Sequence, residues 1–360
     1  MNILYVSHLN TNVAAGPNWS VPASVNAQSK IDNVLWLNTT DVIMEHWKVV
    51  KVFHNKAEFG GIHLDLLPSP FNKPDLAVFE GFNFKDQVVF SWELNRKKVP
   101  YIIVPRGSLT YEAQHNHSWL KKKIAHILFL NSYVRKARAI QYLTTGEEES
   151  SKRTFKTRSF VIPNGFNTPN KQKVEFSKDA IKAIFIGRLD MYHKGIDMLL
   201  DAIAQIKPQL EEANFHLSIH GPRRYDYYKI GEEIKRLGIE TVATLKDEIA
   251  GKEKESELMQ SDLFVMTSRL EGHPMGLIEA LSYGIPCFVS RGTNMLEEIR
   301  HSDAGWTCEV TTDAIKETLL RIVNEKNLLC EKGGKALALS KNYQWDKLAE
   351  QFHKEVESIL

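Results

Sequence analysis

Residues 262–282, DLFVMTSRLEGHPMGLIEALS, decide how the rest of the chain is read. The run Asp262-Leu263-Phe264-Val265-Met266 is short and apolar, as a buried strand is. Pro274 presets a helical first turn, because its missing N–H has no helical partner there. Residues 275–282 then read as the helix. Glu271 falls in the loop at the carboxyl end of the strand. Glu279 falls about one turn inside the helix. The N–H groups of residues 273 to 277 (His273, Pro274 excepted, Met275, Gly276 and Leu277) are expected to point back at the loop. Such a helix start attracts phosphate, and Gly272 and Gly276 let a ligand approach the backbone. One acid, a ring of amide donors and a second acid in line suit a sugar, a diphosphate and a ribose.

Outward from this stretch, short apolar runs alternate with helical patterns. The first half offers strands at Ile3–Ser7, Asn33–Leu37, Leu76–Glu80, Tyr101–Pro105 and Ala139–Leu143. The second half offers Ser159–Ile162, Ala183–Gly187, His216–His220, Val242–Leu245, Leu263–Thr267 and Pro286–Ser290. Helical patterns lie at Gly195–Ile206, Tyr228–Leu237 and Thr312–Asn324. The alternation predicts α/β architecture, with parallel sheets covered by helices on both faces. The right-handed crossover rule then gives two doubly wound, Rossmann-like domains. The turn-rich cluster Pro163-Asn164-Gly165-Phe166-Asn167-Thr168-Pro169 sets the boundary, with an ordinary loop inside one domain as its alternative. The expected domains are residues 1–163, with 343–360 crossing back onto them, and 164–342. Ligands of such folds bind outside the carboxyl ends of the strands, so a cleft between the domains is the expected site.

Composition narrows the function. The chain has 360 residues and a formal charge of +2, without the basic footprint of a dedicated nucleic-acid binder. Cys287, Cys308 and Cys330 are widely spaced and suggest neither a disulfide framework nor a zinc site. They read as small buried hydrophobes. The opening residues read as a strand rather than a signal peptide, and no apolar run has the length of a membrane span. A cytoplasmic protein is expected, compatible with the inner face of a membrane.

Further clusters carry charge at strand ends. Gly187-Arg188-Leu189-Asp190-Met191-Tyr192-His193-Lys194-Gly195 follows an apolar strand. Arg188 offers a fork of donors and Lys194 a point charge, able to balance a departing diphosphate. The alternative is a pair of surface cations matched by Asp190 or Asp197. In Pro105-Arg106-Gly107-Ser108-Leu109 the expectation is a presented cation and backbone donors from Gly107 and Ser108, with a plain tight turn as the alternative. Gly16, after the first strand, is a weaker candidate for admitting a ligand. The stretch Trp119 to Leu130 carries Lys121, Lys122 and Lys123 beside an apolar face, and Arg135, Lys136 and Arg138 continue its basic character. It reads either as a contact with anionic lipid or as a core-facing helix with a solvated side. No metal-binding histidine spacing, covalent nucleophile motif or Walker-type loop is present.

Taken together, Gly187-Arg188-Leu189, Lys194-Gly195, the Glu271 and Glu279 pair, Pro163-Asn164-Gly165, Ser268-Arg269 and Tyr283-Gly284-Ile285-Pro286 resemble the retaining glycosyltransferases of family 4, glycosyl transferases group 1, of GT-B architecture. The resemblance implies that Arg188 and Lys194 neutralise the donor diphosphate and that Glu271 contacts the sugar. It implies further that amides from Gly272 to Leu277 hold the sugar and phosphate and that Glu279 accepts the ribose hydroxyls. The base would rest near Val242 to Leu245. Many members carry a useful histidine where this chain has Arg106, which suggests a cation there instead. No cofactor or metal is implied. The reaction keeps the anomeric configuration through same-face attack, with closure about Asn164 excluding water. Residues 343–346, Tyr343-Gln344-Trp345-Asp346, resemble the terminal segment that crosses back onto the first domain.

The expected activity is transfer of a hexosyl group from a nucleotide diphosphate sugar, UDP before GDP, to a glycan or lipid-linked glycan acceptor of a bacterial surface polysaccharide. The rivals are an epimerase or hydrolase on the same fold, and a non-catalytic nucleotide-sugar-binding partner subunit.

Overall fold

A computed structural model describes residues 1–11, 16–82, 85–114 and 130–360. The basic segment from Trp119 to Phe129 lies outside the described residues. The chain divides into two compact units, Met1–Gly165 with Trp345–Leu360, and Phe166–Gln344.

The first unit holds seven strands: β1 Asn2–Ser7, β2 Asn33–Asn38, β3 Phe53–Asn55, β4 Leu76–Glu80, β5 Tyr101–Val104, β6 Ala139–Tyr142 and β7 Ser159–Val161. They form one sheet in the order β3-β2-β1-β4-β5-β6-β7, with every pairing parallel. Strands buried on both faces are apolar throughout; β4 and β5 are buried at every residue. The sequence grouped Ser159–Ile162 with the second half. The structure corrects this, because Ser159 and Val161 pair with Ile140 and Tyr142 as the seventh strand of the first sheet.

The second unit holds β8 Ile181–Ile186, β9 Phe215–His220, β10 Ala243–Lys246, β11 Leu263–Met266, β12 Cys287–Ser290 and β13 Gly305–Cys308. Their order is β10-β9-β8-β11-β12-β13, again parallel throughout. Both sheets reverse direction beside their first strand, between β1 and β4 and between β8 and β11. At such a switch point neighbouring loops diverge to opposite faces and leave a crevice at the carboxyl ends. Strands β3 and β13 were not foreseen. Each is only three or four residues long and mixes polar with apolar positions, too little for a periodic signal. Of the cysteines, Cys287 and Cys308 are buried as expected, but Cys330 is exposed.

The terminal helix Trp345–Glu357 buries Trp345, Leu348, Ala349, Phe352 and Val356, a single stripe at helical spacing. That stripe joins Tyr5, Val21, Val25 and Phe160 in the core of the first unit. A polar contact fixes its register. Asp32, with a fully buried side chain, accepts from the Met1 amino group at 2.7 Å, Gln28 Nε2 at 2.6 Å and His353 Nδ1 at 2.9 Å. Burial works against this carboxylate, but the hydrogen bonds outweigh it and hold its pKa below the ordinary value.

Asp32→Ala is therefore expected to lower stability at neutral pH by about 2 kcal/mol, the scale of hydrogen bonds to a charged group. A depressed carboxylate stabilises above its unfolded pKa of about 4 and loses that contribution as acid protonates it. Denaturant melts at pH 7 and pH 3 should thus show a smaller deficit at the lower pH. An equal deficit at both would remove the charge from this account.

Candidate functional site

Two loops meet at the switch point of the second sheet. The first leaves β8 at Gly187, whose N–H donates to His220 O at 3.1 Å, and ends where helix Ile196–Gln205 begins. Gly195 stands at that helix start with φ +63°, and a Cβ there would lie 2.1 Å from Thr267 O. Only glycine fits both the left-handed backbone and the close approach. The second loop leaves β11 and is tied to the first. Arg269 N donates to His193 O at 2.9 Å. The Arg269 guanidinium grips Asp197 at 2.6 and 2.9 Å and lies 4.4 Å from the Tyr192 ring centroid.

This clamp brings Lys194 onto Glu271. Lys194 Nζ and Glu271 Oε1 form an ion pair with both side chains 12% exposed. Ser268 Oγ donates to the same carboxylate oxygen at 2.8 Å. The backbone of Glu271 is fixed as well, its N–H donating to Gly292 O at 2.8 Å and its carbonyl accepting from Asn294 Nδ2. The sequence offered Asp190 or Asp197 as structural partners for the loop cations, and for Lys194 neither applies. Asp197 is held by Arg269, and Asp190 by His193. Burial would raise the Asp190 pKa, but hydrogen bonds from the His193 backbone and ring hold it low. Arg188 keeps a half-exposed side chain, with its nearest carboxylate oxygen, on Asp190, at 3.9 Å. Its guanidinium sits 5.6 Å from the Tyr225 ring centroid.

Helix Met275–Ser282 begins beside these loops. The helix has the bounds the sequence reading gave it, and Pro274 stands just before it as an N-cap in an extended conformation. The expected run of free amides is shorter. Leu277 N–H donates to Pro274 O at 3.1 Å, which closes the first turn and removes it from the set. The amides of Met275 and Gly276 have no backbone acceptor among the described residues. Gly276 abuts the end of β8, where a Cβ would come 3.2 Å from Ile186 O, whereas Gly272 has open space around it. His273 is buried, its ring centroid 5.6 Å from that of Tyr343. Burial pushes its pKa down to about 3, so it is neutral at physiological pH.

Glu279 lies one turn into the helix and is paired through Oε2 with Lys254 Nζ of helix Gly251–Gln260. Burial raises the Glu279 pKa, and the lysine charge opposes that rise. Lys254 was missed by sequence reasoning. It sits 25 positions before Glu279 among alternating charges, where nothing marks one lysine from its neighbours. Asn294, which holds the Glu271 backbone from 23 positions away, was missed because nothing in its surrounding sequence marks a site. At the carboxyl end of β10, Asp247 is bound by Arg223 at 2.6 and 2.7 Å and by Tyr227 at 2.9 Å.

In the first unit the expectations at Arg106, Gly107 and Ser108 are corrected. Arg106 is not a presented cation. Its Nε donates to Glu80 Oε2 at 2.8 Å, and its Nη1 donates to Ser20 Oγ at 2.9 Å and Asn164 Oδ1 at 3.0 Å. The two charged side chains are 9% and 3% exposed. The Gly107 N–H donates to Glu147 Oε1, and the Ser108 N–H to Pro105 O at 3.1 Å. A buried carboxylate at the end of β4 has claimed the cation, and the turn has used its own donors. Gly16 opens helix Pro17–Gln28 with its carbonyl accepting from Trp19 and Ser20. Its φ of −49° makes no special demand for glycine. Among the described residues no group of His, Cys, Asp and Glu is arranged to hold a metal ion, and no helix is long and apolar enough to cross a membrane.

Residues 166–344, the span of the second unit, match the family model described as Glycosyl transferases group 1. The chain is 25% identical over 223 residues to the mannosylfructose-phosphate synthase of Agrobacterium fabrum, covering 55% of this chain and 46% of that enzyme. It is 25% identical over 170 residues to the N-acetyl-alpha-D-glucosaminyl L-malate synthase of Bacillus anthracis, covering 46% and 43%. The matched stretch thus spans less than half the length of either curated relative. Among solved structures, the Anabaena protein HepE in complex with UDP and glucose aligns over 99% of this chain and 100% of its own, with a TM-score of 0.72 at 17% identity. That likeness is one of fold, the GT-B class of paired doubly wound units.

The clamp between the loops yields a direct test. Gly195→Ala should cost more than the roughly 1–2 kcal/mol of a left-handed non-glycine residue, because its Cβ also collides with Thr267 O. Urea unfolding measures the loss; a change under about 0.5 kcal/mol, the scale of a neutral surface substitution, would mean that the loops do not meet as described.

Proposed function

The chain belongs to glycosyl transferases group 1, and from that premise we propose that it moves a hexosyl group from a UDP-sugar to a glycan acceptor with retention of configuration. The observation that carries the proposal is the convergence, at one switch point, of Lys194, Glu271, a helix start and Glu279. Each supplies what one part of a nucleotide diphosphate sugar needs. Arg188 is half-exposed, with its nearest carboxylate at 3.9 Å, and is placed to meet phosphate oxygens. Lys194 is a second positive charge that exchanges Glu271 for the diphosphate when the donor arrives. The amides of Met275 and Gly276 and the helix dipole favour the same negative charge. Glu271, held by Ser268 and Asn294, receives the sugar hydroxyls, and Glu279 receives the ribose.

The reaction in this proposal needs no protein nucleophile and no metal. The sugar's bond to the diphosphate lengthens, and positive charge grows on the ring while negative charge grows on the leaving phosphate. Arg188, Lys194 and the helix start are in contact with the diphosphate before its bond breaks and stabilise that leaving group. The acceptor hydroxyl attacks from the face the diphosphate leaves, and the departing phosphate takes its proton. The UDP bound by the Anabaena structural relative supports a uridine donor. A glycan acceptor in surface-polysaccharide assembly, and action at the inner face of a membrane, belong to the same reading.

Donor turnover with and without a glycan acceptor panel, scored by UDP release and by mass spectrometry of products, tests the activity. Acceptor-independent release alone would make the protein a hydrolase, and binding without release would make it a silent partner. Lys194→Ala should reduce turnover by about a hundredfold, the scale of losing one preorganised charge; activity within a few-fold of the parent would remove Lys194 from this role. Glu279→Ala should weaken UDP binding without a change in the circular dichroism of the fold, and unaltered UDP affinity would reject the ribose contact.

A further inference from the structure

The Lys254–Glu279 pair is unusual in its setting. Helix Gly251–Gln260 lies mostly toward solvent, and Leu258 is its buried residue. Lys254 stands one turn before Leu258 and therefore on the same inward face. The two residues before it, Lys252 and Glu253, are exposed, and Glu255 after it is half-buried. Yet Lys254 turns inward to a carboxylate that is 13% exposed, on a helix whose neighbouring residues Leu277, Ile278, Ala280 and Leu281 are all buried. A long lysine side chain held in one geometry loses rotamer freedom. A contact of this kind, one turn into the helix that follows β11, points to a task for the carboxylate.

We propose that Lys254 is a positioning residue that fixes Glu279 as a hydrogen-bond acceptor and so sets the preference for a ribonucleotide donor over its 2′-deoxy counterpart. The inference rests on the reading that Glu279 meets the ribose. Lysine is a point charge rather than a fork, and it engages Oε2. Oε1 is left to accept from a ribose hydroxyl. Without the lysine, burial favours the neutral carboxyl, which presents a proton where an acceptor is needed. Tyr283, one turn further on, adds no charge near neutral pH. Burial, and then the charges of Glu255 and Glu279, push its pKa up to about 12. Lys254 is thus the group that opposes the rise burial imposes on the Glu279 pKa.

Calorimetry with UDP and 2′-deoxy-UDP on the full chain tests this. The parent should prefer UDP by about tenfold, the scale of one hydrogen bond to a charged acceptor, with a ratio that depends less on pH than that of the variant. Lys254→Gln should bring the ratio near unity at low pH and restore it as rising pH ionises Glu279. A Lys254→Gln protein that keeps the parental ratio at every pH overturns the inference, and so does one that loses both nucleotides equally. Should that variant fail to fold, Glu279→Gln is compared with Glu279→Gln/Lys254→Gln, which leaves no unpaired buried charge. Acting through Glu279, Lys254 should then change neither affinity, and a further loss on its removal overturns the inference. A parent that binds neither nucleotide overturns the donor reading itself, a result distinct from a parent that binds with a ratio unmoved by Lys254.

Discussion

The ion pair between Lys194 and Glu271 is the contact on which the candidate site depends. It joins residues 77 positions apart, from the loops after β8 and β11. Neither charge is deeply solvated, and an exposed pair of this kind would contribute little. What makes it effective is that both backbones are already fixed. Arg269 binds the two loops together, Gly195 lets them touch, and Gly292 and Asn294 hold the Glu271 main chain. The pair therefore forms without ordering a flexible loop.

The α/β class was legible because a doubly wound sheet writes itself strongly into sequence. Strands buried on both faces are short apolar runs, and β4, β5, β11 and β12 are buried at every position. The register of Glu271 and Glu279 was legible for the same local reason, since a strand, a loop and a helix in succession leave little freedom over 20 residues. What failed was partner choice. Nothing near Arg106 in sequence shows that Glu80, 26 positions earlier, ends a strand beside it. Nothing near Lys254 shows that it reaches Glu279. Which charge finds which is decided by sheet order, and strand order is a long-range property that local periodicity does not carry.

The two units use one topology for opposite electrostatic ends. At the first sheet's switch point, Glu80 at the end of β4 is matched internally by Arg106, and Ser20 and Asn164 take up the guanidinium's remaining donors. The charges there are nearly sealed from solvent, so their role is to hold the end of the sheet together. A buried pair of this kind is retained at a desolvation cost and is hard to break from one side. At the second sheet's switch point the acids are matched by lysines, whose single-point contacts leave carboxylate oxygens available. Arg106 also touches Glu80 at a single point, through Nε, so it is the burial of that pair, at 9% and 3% exposure, that closes the first site. The same fold is thereby closed at one edge and receptive at the other.

That difference also explains why a helix start alone would not define the site. Helix Met275–Ser282 offers two amides, since its first turn closes at Leu277, and a partial charge of about half a unit is modest. Arg188 at the end of β8 adds a full charge from the other side of the crevice, and Lys194 adds another once Glu271 turns to a different partner. An anion at this point would be held between the helix dipole and two cations, with a carboxylate before it and another behind. The spacing of those acids along one strand-loop-helix segment means that a single rigid element measures the ligand's length. On the proposed function, selectivity for an extended, doubly charged molecule with hydroxyls at both ends would follow from backbone geometry, with the lysines setting whether each acid is ready to accept.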